Sequence, residues 1–78
     1  MNKKRRIRLT KVVDQLEIIA DEVSEIIDEE QESYDNMPES LQLSDRGSNS
    51  EEAIDCLSNG VYAIEEAVLN ITEVVNNN

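Results

Sequence analysis

Seventy-eight residues hold one small domain at most. A single cysteine, Cys56, excludes an intrachain disulfide, and the lack of histidine leaves no way to complete a zinc site. The net charge of −11, from 18 acids and 7 bases, argues against nucleic-acid binding through the body of the chain.

The charge is unevenly placed. Lys3, Lys4, Arg5, Arg6, Arg8 and Lys11 form a basic arm, whereas every acid lies later and only Arg46 accompanies them. The arm therefore carries +6 and the remainder −17. No apolar run is long enough to span a bilayer, and residues 1–10 lack the apolar core of a signal peptide, so a cytoplasmic protein with no membrane partner is expected.

In chain order, the first expected element is a helix over about residues 5–35. Leu9, Val12, Leu16, Ile19, Val23 and Ile26 alternate steps of three and four, and Val13, Ala20, Ile27 and Tyr34 add a parallel row. Such a stripe is wider than a two-helix seam requires and suits a bundle helix. Thirty residues at ~1.5 Å each predict a rod of roughly 45 Å. The helix closes in an acid run from Asp28 to Glu32, where like charges at helical spacing oppose it by roughly 0.2–0.5 kcal/mol per pair.

Asn36-Met37-Pro38 breaks this helix, because proline disfavours helical geometry in the residue before it. A connection over 36–48 follows. Pro38 to Leu41 is expected to form a brief helical piece, with Leu41 and Leu43 folding back over the open end. Ser44-Asp45-Arg46-Gly47 reads as a turn, and Ser48-Asn49-Ser50-Glu51 as the capping box of a second helix over about 49–76.

That second helix carries an unbroken seam: Ile54, Leu57, Val61, Ile64, Val68, Ile71 and Val75. Ala53, Gly60 and Ala67 run beside it as a row of small residues that predicts close helix approach. The whole reads as an all-α, antiparallel two-helix hairpin. Leu9 is expected near Val75, Val23 near Val61 and Ile26 near Leu57. A domain this small draws extra stability from association, so the hairpin is expected to dimerise into a four-helix bundle.

The run Tyr34-Asp35-Asn36-Met37-Pro38-Glu39-Ser40-Leu41-Gln42, followed by Ser44, Gly47 and Glu51-Glu52-Ala53-Ile54-Asp55, resembles small, acidic, uncharacterised helical proteins of bacteria and their phages. The likeness covers roughly residues 30–60. Cys56, Asn59-Gly60 and Tyr62 depart from the glutamate- and alanine-rich second helix of that group. The resemblance implies a phage or mobile-element context. Because small accessory proteins of that kind often bind and disable a host protein, it also implies such a partner, anti-phage defence proteins included.

No catalytic constellation is present in the sequence: no histidine, no serine beside a base, no glycine-rich phosphate loop. Glu22-x-x-Glu25 and Glu52-x-x-Asp55 resemble magnesium-binding acid pairs, but in so acidic a chain they read as solvated faces. No enzyme activity, metal or cofactor is expected. The expected partner-binding residues are Asp28, Glu29, Glu32, Tyr34, Asp35, Glu51, Glu52 and Asp55 at the acidic loop end. Tyr62 and Leu69, spaced by seven, form a second expected strip. Two alternatives remain: nucleic-acid or nucleotide binding through the basic arm, though no aromatic residue there offers a stacking platform, and mimicry of DNA by the acidic surface.

Overall fold

The computed structural model describes residues 1–77 as an all-α chain of three helices. The first, α1, spans Lys3–Asp35; the second, α2, is the short piece Glu39–Gln42; the third, α3, spans Asp45–Asn76. The chain is a rod of 58 × 14 × 12 Å. Its radius of gyration, 17.6 Å, exceeds the ~11.5 Å expected of a compact chain of this length.

α1 begins inside the basic arm, where the Asn2 side chain accepts a hydrogen bond from the Arg5 amide at 2.9 Å. It ends where Pro38 forbids continuation, and the Met37 amide then bonds to the Tyr34 carbonyl at 3.0 Å. α2 starts at Glu39, one residue past the expected Pro38. Leu43 does not fold back over the helix pair: it is 80% exposed, and Leu41 is exposed too.

α3 starts at Asp45, four residues before the expected 49. Ser44 takes the extended conformation of a helix-capping residue, although its hydroxyl donates to the Leu41 carbonyl instead of capping α3. Ser48 is inside the helix, its amide bonded to the Ser44 carbonyl at 3.0 Å. The expected turn at 44–47 is therefore the first helical turn of α3, and Asp45 there favours the positive end of the helix dipole.

Gly47 explains why this turn is helical. It is buried, and a Cβ built on it would stand 2.6 Å from Gln42 Cα. Only a residue without a side chain lets the first turn of α3 press against the backbone of α2. α1 packs along α3. Tyr34 and Ile54 line one cleft, Ile27 and Val61 the next, then Ala20 and Val68, then Val13 and Val75. Val61 thus shares a groove with Ile27, and Val75 with Val13.

The core is thin. Among the described residues Val13, Ala20 and Val61 are the buried apolar ones, and no large side chain is fully enclosed. The row Val13, Ala20, Ile27 and Tyr34 faces α3, while Val12, Ile19 and Ile26 remain exposed. The close-approach role expected of Gly60 is overturned within the chain: nothing lies within 4 Å of a Cβ placed there, and Ala53 is exposed.

The two glycines should therefore respond oppositely to alanine in urea or thermal melts. Gly47→Ala should cost about 1–3 kcal/mol, because backbone atoms cannot swing aside as a flexible side chain would. In the single chain Gly60→Ala should gain up to ~1 kcal/mol from helix propensity alone. Equal responses at the two positions would contradict this account of the corner.

Candidate protein-interaction surface

The end of the rod where α1 gives way to α2 and α3 is built by side chains within the chain. The Tyr34 hydroxyl donates to the Glu51 carboxylate. The Ser50 hydroxyl donates to Glu30 Oε2 at 2.6 Å, and Ser50 is buried. The Gln42 side-chain amide donates to the Tyr34 carbonyl at 3.0 Å, holding α2 against the end of α1. Gln31 donates to Asp35 Oδ1 at 3.0 Å. Tyr34, Glu51 and Asp35, all expected as partner contacts, are thus engaged in local bonds that shape the corner.

The bond to Glu51 raises the Tyr34 phenol above its ordinary value near 10, with desolvation and the negative charges of Glu51 and Asp35 adding to the effect. Each cause opposes formation of a second negative charge among carboxylates.

Four shallow grooves follow one flank of the seam. Across them Gln31 meets Glu51, Ser24 meets Ser58, Glu17 meets Glu65 and Thr10 meets Thr72. The outer rim on α3 is the sevenfold row Asp55, Tyr62, Leu69 and Asn76. Tyr62 shares a groove with Asp28, and Leu69 shares one of about 450 Å³ with Glu17, Asp21 and Glu65. Tyr62 is 67% exposed and Leu69 70%. Two large apolar side chains therefore stand on one side of the rod among carboxylates.

The structure brings Asp28 to Tyr62, and Asp55 to Tyr34 and Glu51. Glu29, Glu32 and Glu52 are exposed helix residues and line none of these four grooves. The basic arm is helical from Lys3 onward. Arg5 and Arg8 line a cleft with Met1, Leu9 and Val12, while Lys3, Lys4 and Lys11 are exposed and Arg6 is half-exposed. Cys56 is an exposed free thiol. Among the described residues no group of three metal-ligating side chains converges, and no helix is long and apolar enough to cross a membrane.

The Glu30–Ser50 pair is absent from the expected contacts, yet it leaves a trace in the sequence. Glu30 continues the spacing of Leu9, Leu16 and Val23, and Ser50 that of Leu57, Ile64 and Ile71. Two polar residues in apolar rows, one near the end of each pattern, mark a bonded pair in the seam.

In comparisons with known proteins, no family model, curated protein or solved structure matches the chain.

A spectrophotometric titration should show Tyr34 ionising above pH 10, with that transition missing in Tyr34→Phe. A group whose folded pKa is raised stabilises the fold fully below its unfolded pKa. Its contribution is then lost as pH rises through the folded value. Stability should fall with rising pH above about 10 in the wild type, and less steeply in Tyr34→Phe.

Proposed function

We propose that the chain is a non-enzymatic interaction protein: an antiparallel helical hairpin that pairs with a second copy in a four-helix bundle and binds another protein. The observation carrying this reading is uncovered surface. The accessible area is 5959 Å² for 8.8 kDa, whereas a compact monomer of that mass exposes about 4,800 Å². The excess, about 1,200 Å², is of the order of one partner's share of a stable protein interface. Exposed isoleucine, leucine, valine and tyrosine side chains lie on that surface.

The resemblance of residues 34–55 supports a phage or mobile-element protein acting in a bacterial cytoplasm by modulating or inhibiting a host protein. The surface offered to that partner is the grooved flank. Tyr62 and Leu69 would anchor it, and Asp21, Asp28, Asp55 and Glu65 would draw basic groups around the anchors. The fitting partner is a surface with apolar sockets ringed by lysine or arginine.

Sedimentation equilibrium at micromolar concentration should give a dimer. In pull-downs from a bacterial lysate, Tyr62→Ala and Leu69→Ala should each lose the protein captured by wild type while keeping full helicity. Glu32→Lys replaces the repulsive Asp28/Glu32 pair by an attractive one and should raise the melting temperature slightly. A captured protein indifferent to both Tyr62→Ala and Leu69→Ala would remove the grooved flank as the contact surface.

A further inference from the structure

The flank of the seam opposite the grooves has a different character. On α1 it carries the row Val12, Ile19 and Ile26, which are 39%, 46% and 49% exposed. By heptad geometry the row of α3 on the same flank is Gly60, Ala67 and Val74, and behind it lie Cys56, Ala63 and Asn70. None of these residues is charged. On α1 the row behind is Gln15, Glu22 and Glu29. The uncharged strip is therefore made by the inner rows of both helices and the outer row of α3, a surface with few solvating groups in a chain with 18 acids.

The two rows share a centre. Ala20 and Val68 line one groove with Glu17 and Glu65, which puts Ile19 and Ala67 near one level along the rod. Val12 and Ile26 lie seven residues to either side of Ile19; Gly60 and Val74 lie seven residues to either side of Ala67. Turned end for end about that level, the flank presents Val12 to Ile26, Ile19 to itself, Ala67 to itself and Gly60 to Val74. The valine thus meets the position where α3 has no side chain. A surface that matches itself in this way is what a two-fold interface requires.

Charge selects the same arrangement. Arg5 and Arg8 stand with Leu9 and Val12 in the cleft at one end of the flank. Glu29 and Glu30 stand ten and eleven residues beyond Ile19 at the other end, and Arg8 lies eleven before it. End-for-end pairing sets arginines beside glutamates at both ends, whereas a copy pointing the same way would gather like charges. From Arg5 to Ser33 the flank runs about 42 Å at 1.5 Å per residue. Two helices about 10 Å apart make it roughly 20 Å wide, a footprint of about 800 Å², the usual share of one partner in a stable interface.

We propose that this flank is the dimer interface: it takes a second copy of the chain, turned end for end about a two-fold axis crossing the helices at the level of Ile19 and Ala67. The inference rests on the pairing proposed above and adds its face, direction and register. In the four-helix bundle so formed, both grooved flanks stay outward, leaving Tyr62 and Leu69 of each copy free.

The test uses the full chain with Cys56→Ser as background. Ile19→Glu should remain helical, since Ile19 is already half-exposed, yet weaken the dimer about a hundredfold or more by placing two carboxylates against each other. Arg8→Glu should weaken it less, and its combination with Glu29→Arg should restore it. Under mild oxidation Ile19→Cys should link to itself, and chains with Val12→Cys should link to chains with Ile26→Cys, neither linking to its own kind. A wild type that stays monomeric at high concentration overturns the pairing itself. A dimer unaffected by Ile19→Glu overturns the face. A dimer in which Val12→Cys links to itself, or Ile19→Cys does not, overturns the direction.

Discussion

Gly47 against the backbone of Gln42 is the contact on which the remaining geometry depends. Because no side chain intervenes, α2 lies directly on the first turn of α3. At this end α1 meets α3 through the bond of Tyr34 to Glu51 and through the bond between Glu30 and Ser50. From that start the pairs follow at sevenfold spacing down to Val13 and Val75. One backbone contact thus fixes which carboxylates bond internally and which apolar rows face each other. The acids of the corner follow from this. Glu30 and Glu51 accept hydroxyl protons, and Asp35 accepts from an amide, so their charges are met locally despite their crowded neighbourhood.

A pair of helices has one seam, and α1 carries apolar residues for more than one. The row Val13, Ala20, Ile27 and Tyr34 is used against α3; the row Val12, Ile19 and Ile26 is not. With three apolar residues buried and none of the large side chains enclosed among the described residues, the chain by itself has little hydrophobic stabilisation to set against the entropy of ordering two long helices. The two flanks of the seam then divide the surface chemistry. Carboxylates, Tyr62 and Leu69 lie on one; on the other the rows nearest the seam are aliphatic or small and uncharged, with Glu22 and Glu29 behind them on α1. Association through the second leaves the first exposed, so self-pairing and capture of another protein do not compete for surface.

Helical periodicity makes the all-α character and both long helices legible in the sequence, since alternating three- and four-residue steps admit no other regular element. The corner is less legible. Ser48 to Glu51 satisfies the composition of a capping box, whereas Ser44, where α3 does start, has Gly47 and not a glutamate three residues on, and Gly47 lies against α2. The expected close-approach glycine is Gly60, because it lies beside the seam; the one that is needed is Gly47, which reads as an ordinary turn residue. Tyr34 and Glu51 read as contact residues for a similar reason. A tyrosine among acids carries no mark in the sequence that its hydroxyl will be met from 17 residues away. Tyr62 and Leu69, by contrast, are legible as surface residues because they fall outside both apolar rows.

Charge along the rod bears on direction as well as on solvation. The basic first turns of α1 oppose the dipole of their own helix, as the acid run opposes it at the other end. Neither placement serves α1 alone. The N-terminal part of α1 does lie beside the last turns of α3, where Thr10 and Val13 meet Thr72, Val75 and Asn76, and cations there offset the negative helix end. Beside the acid run α3 begins with acids of its own and a single cation, Arg46. The proposed second copy, turned end for end, adds cations there. In the proposed pair the charge pattern that costs each helix stability fixes direction between two copies whose apolar rows give the contact its area. Aliphatic packing alone discriminates weakly between the two directions, whereas like charges gathered at both ends of a same-way pair would be repelled over distances up to a Debye length, about 8 Å at physiological salt.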